Sequence, residues 1–313
     1  MGHIPLVMLN QLIPSQLLRK YLLTMMSSRV FEKSNICVIG GKGRMGRWFE
    51  ARFREAGMKP VVLDLEDFPV SEKVLKSFDI IFLAVPIGAV EDVMASIGGY
   101  LRPDSVVMDI TSIKIKPLSS MLKHSRSEVI GSHPLFGPSA KSLDGQTVFL
   151  CPVRTSLWME PVCAFLEAGG AKVVEIKGEK HDRLMACFQT LRHLMLTALG
   201  RTLIDINVEP EIATVLAGPW FGRLLEMLRH QSLQPAELYA DLAIENGFVP
   251  ETLEVFRNNF SELAAFVSNR DKSGLLNLID EVAQTCSNDG KLSEDRFWGW
   301  WRDMGGDSRH PDV

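Results

Sequence analysis

The stretch Ile36-Cys37-Val38-Ile39-Gly40-Gly41-Lys42-Gly43-Arg44-Met45-Gly46 decides the fold of this chain. Apolar, mostly β-branched residues run into Gly41-x-Gly43-x-x-Gly46, and Trp48, Phe49 and Phe53 then mark an amphipathic helix. A strand, a glycine turn and a helix in this order make a cradle for a dinucleotide pyrophosphate. The first glycine permits the tight turn, the second lets the backbone approach the phosphates, and the third lets the helix pack on the strand. The phosphates then lie on the helix N-terminus, where unpaired N–H groups and the helix dipole favour an anion. A glycine triplet alone has little specificity, but here a second strand, Val61-Val62-Leu63, ends in Asp64, 18 residues after Gly46. A carboxylate at that place accepts both ribose hydroxyls and repels a 2′-phosphate. Leu65-Glu66-Asp67 brings no arginine, so the reading is NAD rather than NADP. Gly41, Gly43, Arg44, Met45, Gly46 and Asp64 are the candidate cofactor-binding residues. The competing reading is the same strand, turn and helix without a nucleotide.

Working outward, strand-like runs recur at 36–39, 61–63, 80–85, 106–110, 129–130, 148–150 and 172–176, with helical patterns between them. This alternation predicts an α/β fold with a doubly wound parallel sheet, its ligand chemistry at the carboxyl ends of the strands. After Lys177-Gly178 the pattern changes. From 179 to 215 the apolar residues follow helical spacing, and further helical segments run at 219–231, 235–246, 250–268 and 271–287. The predicted layout is an N-terminal extension at 1–34, a nucleotide domain at 35–178, an all-helical domain at 179–304 and a polar, disordered tail from 305. The helical half is too thin and too apolar to cover itself, which predicts a homodimer formed through it.

The 313 residues are 46% hydrophobic and 23% charged, with a net charge of −4, so nothing invokes nucleic acid or an anionic membrane. The N-terminal apolar runs are interrupted by Pro5, Pro14, Arg19 and Lys20 and make neither a membrane span nor a secretory signal. A short helix is expected near 15–26. Cysteines 37, 151, 163, 187 and 286 are odd in number and lack CxxC spacing. They read as reduced thiols of a cytoplasmic protein, with no disulfide frame and no metal cluster.

Three places carry candidate substrate chemistry. Just past the fourth strand, Asp109-Ile110-Thr111-Ser112-Ile113-Lys114 offers a hydroxyl and a cation beside the nicotinamide position. Ser112 as a helix N-cap and Lys114 as a solvated side chain are the plainer alternatives. After the fifth strand, Gly131-Ser132-His133-Pro134 presents a histidine rigidly at the sheet edge. A neutral imidazole there can take a proton from an alcohol, although a strand-end histidine is as often structural. In the first long helix of the second half, His181 reads as a helix-start residue, whereas Arg192 beside His193 suggests an anion site. Arg223 and Arg229 follow on the next helix as carboxylate anchors or a solvated face.

Together these residues resemble the prephenate dehydrogenase family, which also contains arogenate dehydrogenases. The resemblance spans about 35–285. It rests on Gly-Gly-x-Gly-x-Met-Gly at 40–46, Val85-Pro86, Asp109 with Ser112-Ile113-Lys114, and His133-Pro134-Leu135-Phe136-Gly137-Pro138. Glu179-x-His181-Asp182, Leu191-Arg192-His193, Arg229 and Leu238-Tyr239-Ala240-Asp241 complete it. It is similar to the bacterial form usually fused to chorismate mutase, but the N-terminal segment is too short for that domain, so a monofunctional enzyme is expected. The resemblance implies a Rossmann-type nucleotide domain, a helical dimerisation domain and NAD, with Val85 and Pro86 joining the cofactor residues. It implies that His133 is the catalytic histidine on the substrate's 4-hydroxyl, that Ser112 orients it, and that Lys114 lies near the active site. His193 and Arg229 would bind substrate, Arg229 through a carboxylate, with Tyr239 at the pocket wall; Arg192 joins them as the partner of His193 in the anion site read above.

The expected reaction is NAD-dependent oxidative decarboxylation of prephenate to 4-hydroxyphenylpyruvate, in tyrosine biosynthesis. Where relatives read acidic-Ser-Gly after Gly137-Pro138, this chain reads Ser139-Ala140-Lys141. That departure leaves arogenate and 4-amino-4-deoxyprephenate as alternative substrates. A 3-hydroxyacid dehydrogenase would carry a catalytic lysine on the long interdomain helix, where this chain has His181, Arg192 and His193. A cofactor-binding sensor has no use for Ser112, His133 and Arg229 together.

Overall fold

The structure, a computed structural model, describes residues 29–288. The expected helix near 15–26 and the tail from 305 lie outside the described residues. Seven strands form one sheet: β1 (Ile36–Ile39), β2 (Val61–Leu63), β3 (Ile80–Leu83), β4 (Val106–Asp109), β5 (Glu128–Pro134), β6 (Thr147–Arg154) and β7 (Lys172–Glu175). Their order is β2-β1-β3-β4-β5-β6-β7. Each of the seven predicted strand runs forms a strand.

The helices of this half are α1 (Arg44–Glu55), α2 (Glu72–Leu75), α3 (Val90–Ile97), α4 (Ile115–His124) and α5 (Met159–Ala168). They cover both faces, because β1, β3 and β4 are buried along their whole length and need cover on two sides. One face is aromatic. Phe49 and Phe53 of α1 stack within 4.9 and 5.2 Å of Phe82 on β3, and Phe31 lies 4.5 Å from Phe165 of α5. Such ring pairs add about 0.5–1.5 kcal/mol each beyond area burial. The opposite face packs Met94 and Ile97 of α3 and Leu118 and Met121 of α4 against Ile81, Val107 and Val129.

The sheet is parallel only as far as β5. Strand β6 runs antiparallel to β5, and β7 runs parallel to β6. The cause is the connection. Residues 135–146 hold turns and bends but no helix, and a parallel return needs a crossover of a dozen or more residues, usually helical. The sequence pattern records strand identity but not direction, which is why a wholly parallel sheet was expected.

Beyond β7 the chain is helical: α6 (Gly178–Met185), a π-helical stretch (Ala186–Leu191), α7 (Arg192–Asp205), α8 (Pro210–Leu216), α9 (Gly218–Ser232), α10 (Ala236–Glu245), α11 (Val249–Ser268) and α12 (Lys272–Asn288). The helical pattern over 179–215 is broken after α7, where Asn207 takes a left-handed φ of 56°. Two compact units divide at Val249 and Pro250. In the second unit α12 is capped by Asp271, whose carboxylate accepts the Gly274 N–H at 2.9 Å. No helix of the described residues is long and apolar enough to cross a membrane.

Candidate active site

The strand order reverses between β1 and β3, so a crevice opens at their carboxyl ends. The glycine turn lies there. Gly40, not Gly41, takes the left-handed backbone, with φ of 78°, and its N–H donates to Leu63 O at 2.8 Å. A Cβ on Gly40 would lie 2.6 Å from Ala84 O and 2.8 Å from Val85 Cγ1. The tight turn assigned to Gly41 is therefore made one residue earlier. Gly46 fills the packing role, since a Cβ there would lie 2.4 Å from Gly40 O. At Gly43 a Cβ would meet only backbone oxygens, the nearer at 3.2 Å. Gly43 is also the N-cap of α1 and no side chain caps that end, which leaves first-turn N–H groups for an anion. Met45 packs on the aromatic face, and Arg44 donates to Gln234 Oε1 at 2.7 Å. Pro86 begins a short 3₁₀ turn after β3.

Asp64 stands at the end of β2. Its carboxylate accepts N–H bonds from Lys42 at 3.2 Å and Leu65 at 3.0 Å. Lone pairs remain on both oxygens for a pair of hydroxyls. The cradle, the uncapped helix end and this carboxylate fit a dinucleotide.

At the edge of β5, His133 is 2% exposed. Its Nδ1 lies 2.9 Å from His181 Nε2, and His181 Nδ1 lies 2.8 Å from Asp182 Oδ1. Asp182 also caps α4: Oδ1 accepts the Lys114 N–H at 2.6 Å and Oδ2 the Ile115 N–H at 2.9 Å. The edge of Phe149 closes the other side of His181 at 5.4 Å. Burial pushes the His133 imidazole well below its ordinary 6.5, and His181 and Lys114 push it the same way. The unfolded chain binds this proton near 6.5 and the folded chain only at much lower pH. Stability is unaffected above that range and falls as pH drops from 6.5 toward the folded value. Thermal unfolding between pH 7 and 5 should show a falling Tm, with a smaller slope in His133→Asn.

Lys114, expected as a cation beside the nicotinamide position or as a solvated side chain, is buried. It is 0% exposed, and its ammonium donates to Asp109 Oδ2 at 2.5 Å and to Ser132 O at 2.7 Å. It ties the end of β4 to the residue before His133. The alternative of a solvated lysine fails. Ser112 is half-buried and is not the N-cap of α4, because Lys114 holds that position and Asp182 supplies the cap. Among the described residues its hydroxyl has no hydrogen-bond partner.

A second cluster lies farther along the same helical run. Arg192 donates to His193 Nε2 at 3.0 Å, and His193 Nδ1 meets Gln231 Oε1 at 2.9 Å. Gln231 Nε2 in turn donates to Thr197 Oγ1 and His193 O, which fixes its orientation. Tyr239 lies 4.3 Å from the His193 ring. Burial lowers the His193 pKa; the Gln231 bond opposes this and Arg192 adds to it. Arg192 keeps an exposed flank, yet partial burial lowers its pKa too. Among the described residues it has no carboxylate partner. Arg229 joins neither cluster. It is exposed, because residues two apart on a helix point to opposite sides and Gln231 takes the inward one.

Gln231 and Asp182 are the residues that sequence reasoning undervalued. Asp182 had a signal in Glu179-x-His181-Asp182, where His181 was read as a helix-start residue. It is the fourth residue of α6 and lies wholly inside the cluster. Gln231 had no signal. The divergent loop at 139–141 is docked on α1: Ala140 O accepts from Trp48 Nε1 and Lys141 O from Arg52 Nη1, both at 2.6 Å.

Known proteins resemble this chain in sequence and fold. Residues 54–175 match the family model described as prephenate dehydrogenase, nucleotide-binding domain, and residues 177–281 match prephenate dehydrogenase, dimerization domain. A probable arogenate/prephenate dehydrogenase of Methanocaldococcus jannaschii is 34% identical over 275 residues, covering 82% of this chain and 62% of that protein. The chain thus spans less than two thirds of that relative's length. The T-protein of Enterobacter agglomerans is 30% identical over 256 residues, covering 82% of this chain and 68% of that protein. A crystal structure of prephenate dehydrogenase from A. aeolicus, in complex with hydroxyphenyl propionate and NAD+, has the same fold. Its TM-score is 0.64 at 21% identity, covering 80% of this chain and 96% of that one. With both halves matched in order and meeting at the β7–α6 junction, this chain belongs to the prephenate dehydrogenase family.

Proposed function

We propose that this protein is an NAD-dependent dehydrogenase that converts prephenate to 4-hydroxyphenylpyruvate and CO2 in tyrosine biosynthesis. We place the nucleotide domain up to residue 178 and the substrate and dimerisation domain from 179. The observation that carries the reading is His133, a buried imidazole held neutral near the carboxyl end of β5, in the same sheet whose β1 turn makes a dinucleotide cradle.

Bound in that cradle, NAD+ supplies the hydride acceptor. Prephenate carries hydrogen and hydroxyl on C4 and a carboxylate on C1. As hydride leaves C4, His133 takes the hydroxyl proton and a carbonyl develops. Loss of CO2 from C1 then returns electrons to the ring, and the proton goes back to the same oxygen as the phenol forms. Charge and atoms balance with no net proton released. A base that must accept and return a proton works best when it is neutral at the working pH. The low pKa of His133 keeps it so.

Prephenate is a dianion, and Arg192, without a carboxylate partner, is the cation of the His193 cluster. Arg192 is therefore a carboxylate anchor, and Arg229 keeps the substrate-binding role that the resemblance implies. Among the described residues no acidic side chain hydrogen-bonds or ion-pairs with Arg192, His193, Gln231 or Tyr239. An amino-acid side chain, as in arogenate, would want one, so the keto acid is preferred. A homodimer through the helical domain is supported by the family description and by exposed Ile204, Val215, Leu216 and Met227. A cytoplasmic location completes the proposal.

The test is NADH formation by purified protein with prephenate, arogenate and 4-amino-4-deoxyprephenate at equal concentration. Prephenate should give the highest kcat/KM by at least about tenfold, the value of one lost charged contact. A preference for the amino-deoxy compound would move the assignment to that substrate and make residues 139–141 the first place to seek the cause.

A further inference from the structure

His181 and Asp182 are buried, touch no cofactor cradle and are absent from the reaction as written above, yet they form an unbroken chain to His133. The distances are 2.9 Å from His133 Nδ1 to His181 Nε2 and 2.8 Å from His181 Nδ1 to Asp182 Oδ1. His181 is 0% exposed and Asp182 3%.

The directions of the bonds follow from the partners. Both Asp182 oxygens face N–H donors, namely the backbone of Lys114 and Ile115 at the start of α4. As an ionised acceptor, Asp182 draws the His181 proton to Nδ1. A neutral His181 then has a bare Nε2, which can only accept, so His133 must carry its proton on Nδ1. The one nitrogen left bare on His133 is Nε2, the nitrogen that must act as base. The opposite arrangement is equally informative. If His181 gains a proton, its Nε2–H donates to His133 Nδ1 and the His133 proton moves to Nε2, which removes the base.

We propose that His181 and Asp182 are positioning residues that hold His133 in its Nδ1–H form and hold the substrate's proton during turnover, an inference that rests on the dehydrogenase reading above. The proton path balances. The substrate O–H proton passes to His133 Nε2, and the His133 Nδ1 proton passes to His181 Nε2. His181 becomes an imidazolium paired with Asp182, and both protons return when the phenol forms. Between the two steps the charge rests beside a carboxylate and not on His133, whose own surroundings oppose it. The other groups of this cluster do not compete. Lys114, ahead of α4, is bound to Asp109 at the end of β4. Cys151 on β6 is a neutral thiol, pushed to about 12 by burial.

Two measurements test this. The first is the 15N shift of the histidine rings in uniformly labelled wild-type protein at pH 7, with His133 assigned by its loss in His133→Asn. The expected result is an unprotonated Nε2 and a protonated Nδ1; a protonated Nε2 would overturn the proposal. This readout needs no turnover, so it stands even if none of the three substrates is oxidised, a result that would sink only the functional reading. The second is the effect on kcat and KM of His181→Leu and His181→Gln. Leucine removes the acceptor and should lower kcat about a hundredfold, with KM for NAD and substrate within about threefold. Glutamine can place Oε1 where Nε2 was. It keeps the Nδ1–H form of His133 but cannot take its proton, so it should recover only part of the lost kcat, about tenfold over leucine. A His181→Leu enzyme with near wild-type kcat would overturn the proposal. If that variant does not fold, the ring shifts of the wild type decide.

Discussion

His133→Asn is expected to lower kcat for NADH formation about a thousandfold, within the range that a positioned general base contributes, while leaving NAD affinity unchanged. Asparagine suits this test because its amide nitrogen overlies the imidazole Nδ1. It can still donate to His181 Nε2, 2.9 Å away in the native protein. The hydrogen-bonded frame through Asp182 to the start of α4 is then kept, and only the base is removed. The acid limb of the wild-type kcat/KM profile should lie well below pH 6.5, because burial, His181 and Lys114 all disfavour the charged ring. Steady-state kinetics with NAD titrated by fluorescence would check both statements. A variant retaining a tenth of wild-type kcat would remove His133 from the chemistry.

Lys114→Met is expected to cost about 3–5 kcal/mol of stability, the usual penalty for stranding one member of a buried ion pair. For a domain of this size that lowers Tm by roughly 10 °C. Lys114 and Asp109 are both 0% exposed. The variant leaves Asp109 with only the Thr111 N–H and hydroxyl as donors and leaves Ser132 O without its 2.7 Å partner. Adding Asp109→Asn removes the stranded charge and keeps an acceptor for Thr111, so the double variant should recover more than half of the loss. Denaturant melts of the two variants measure this directly. A single variant within 1 kcal/mol of wild type would show that the pair does not hold the end of β4 against β5.

Much of this architecture was legible because it repeats a short physical pattern. Apolar runs of β-branched residues mark every strand, and their alternation with helical patterns requires a layered α/β sheet. The glycine turn is legible because a Cβ would collide there, at 2.4 Å in the case of Gly46. Asp64 follows from its distance along the chain. His133 was visible as a polar residue at a strand end, in a fold that gathers its chemistry at strand ends.

What failed to show is of a different kind. The antiparallel turn into β6 depends on the shape of residues 135–146, and hydrophobic period carries no direction. Lys114 looked like a ligand because nothing in a linear sequence says that Asp109, five residues earlier, folds over it. Gln231 gave no sign because nothing in a linear sequence places it against His193, 38 residues away.

The sequence by itself determined the sheet, the dinucleotide turn, the helical second half and the histidine at the edge of β5, since each is set by contacts local in the chain or by a period within one element. Tertiary structure alone decided which charges face one another. It joined His133 to His181 across 48 residues and Asp182 to the start of α4 across 67 and 68. Hydrogen bonds fix a proton's place through directions and distances of a few tenths of an ångström, and only the folded chain holds that information.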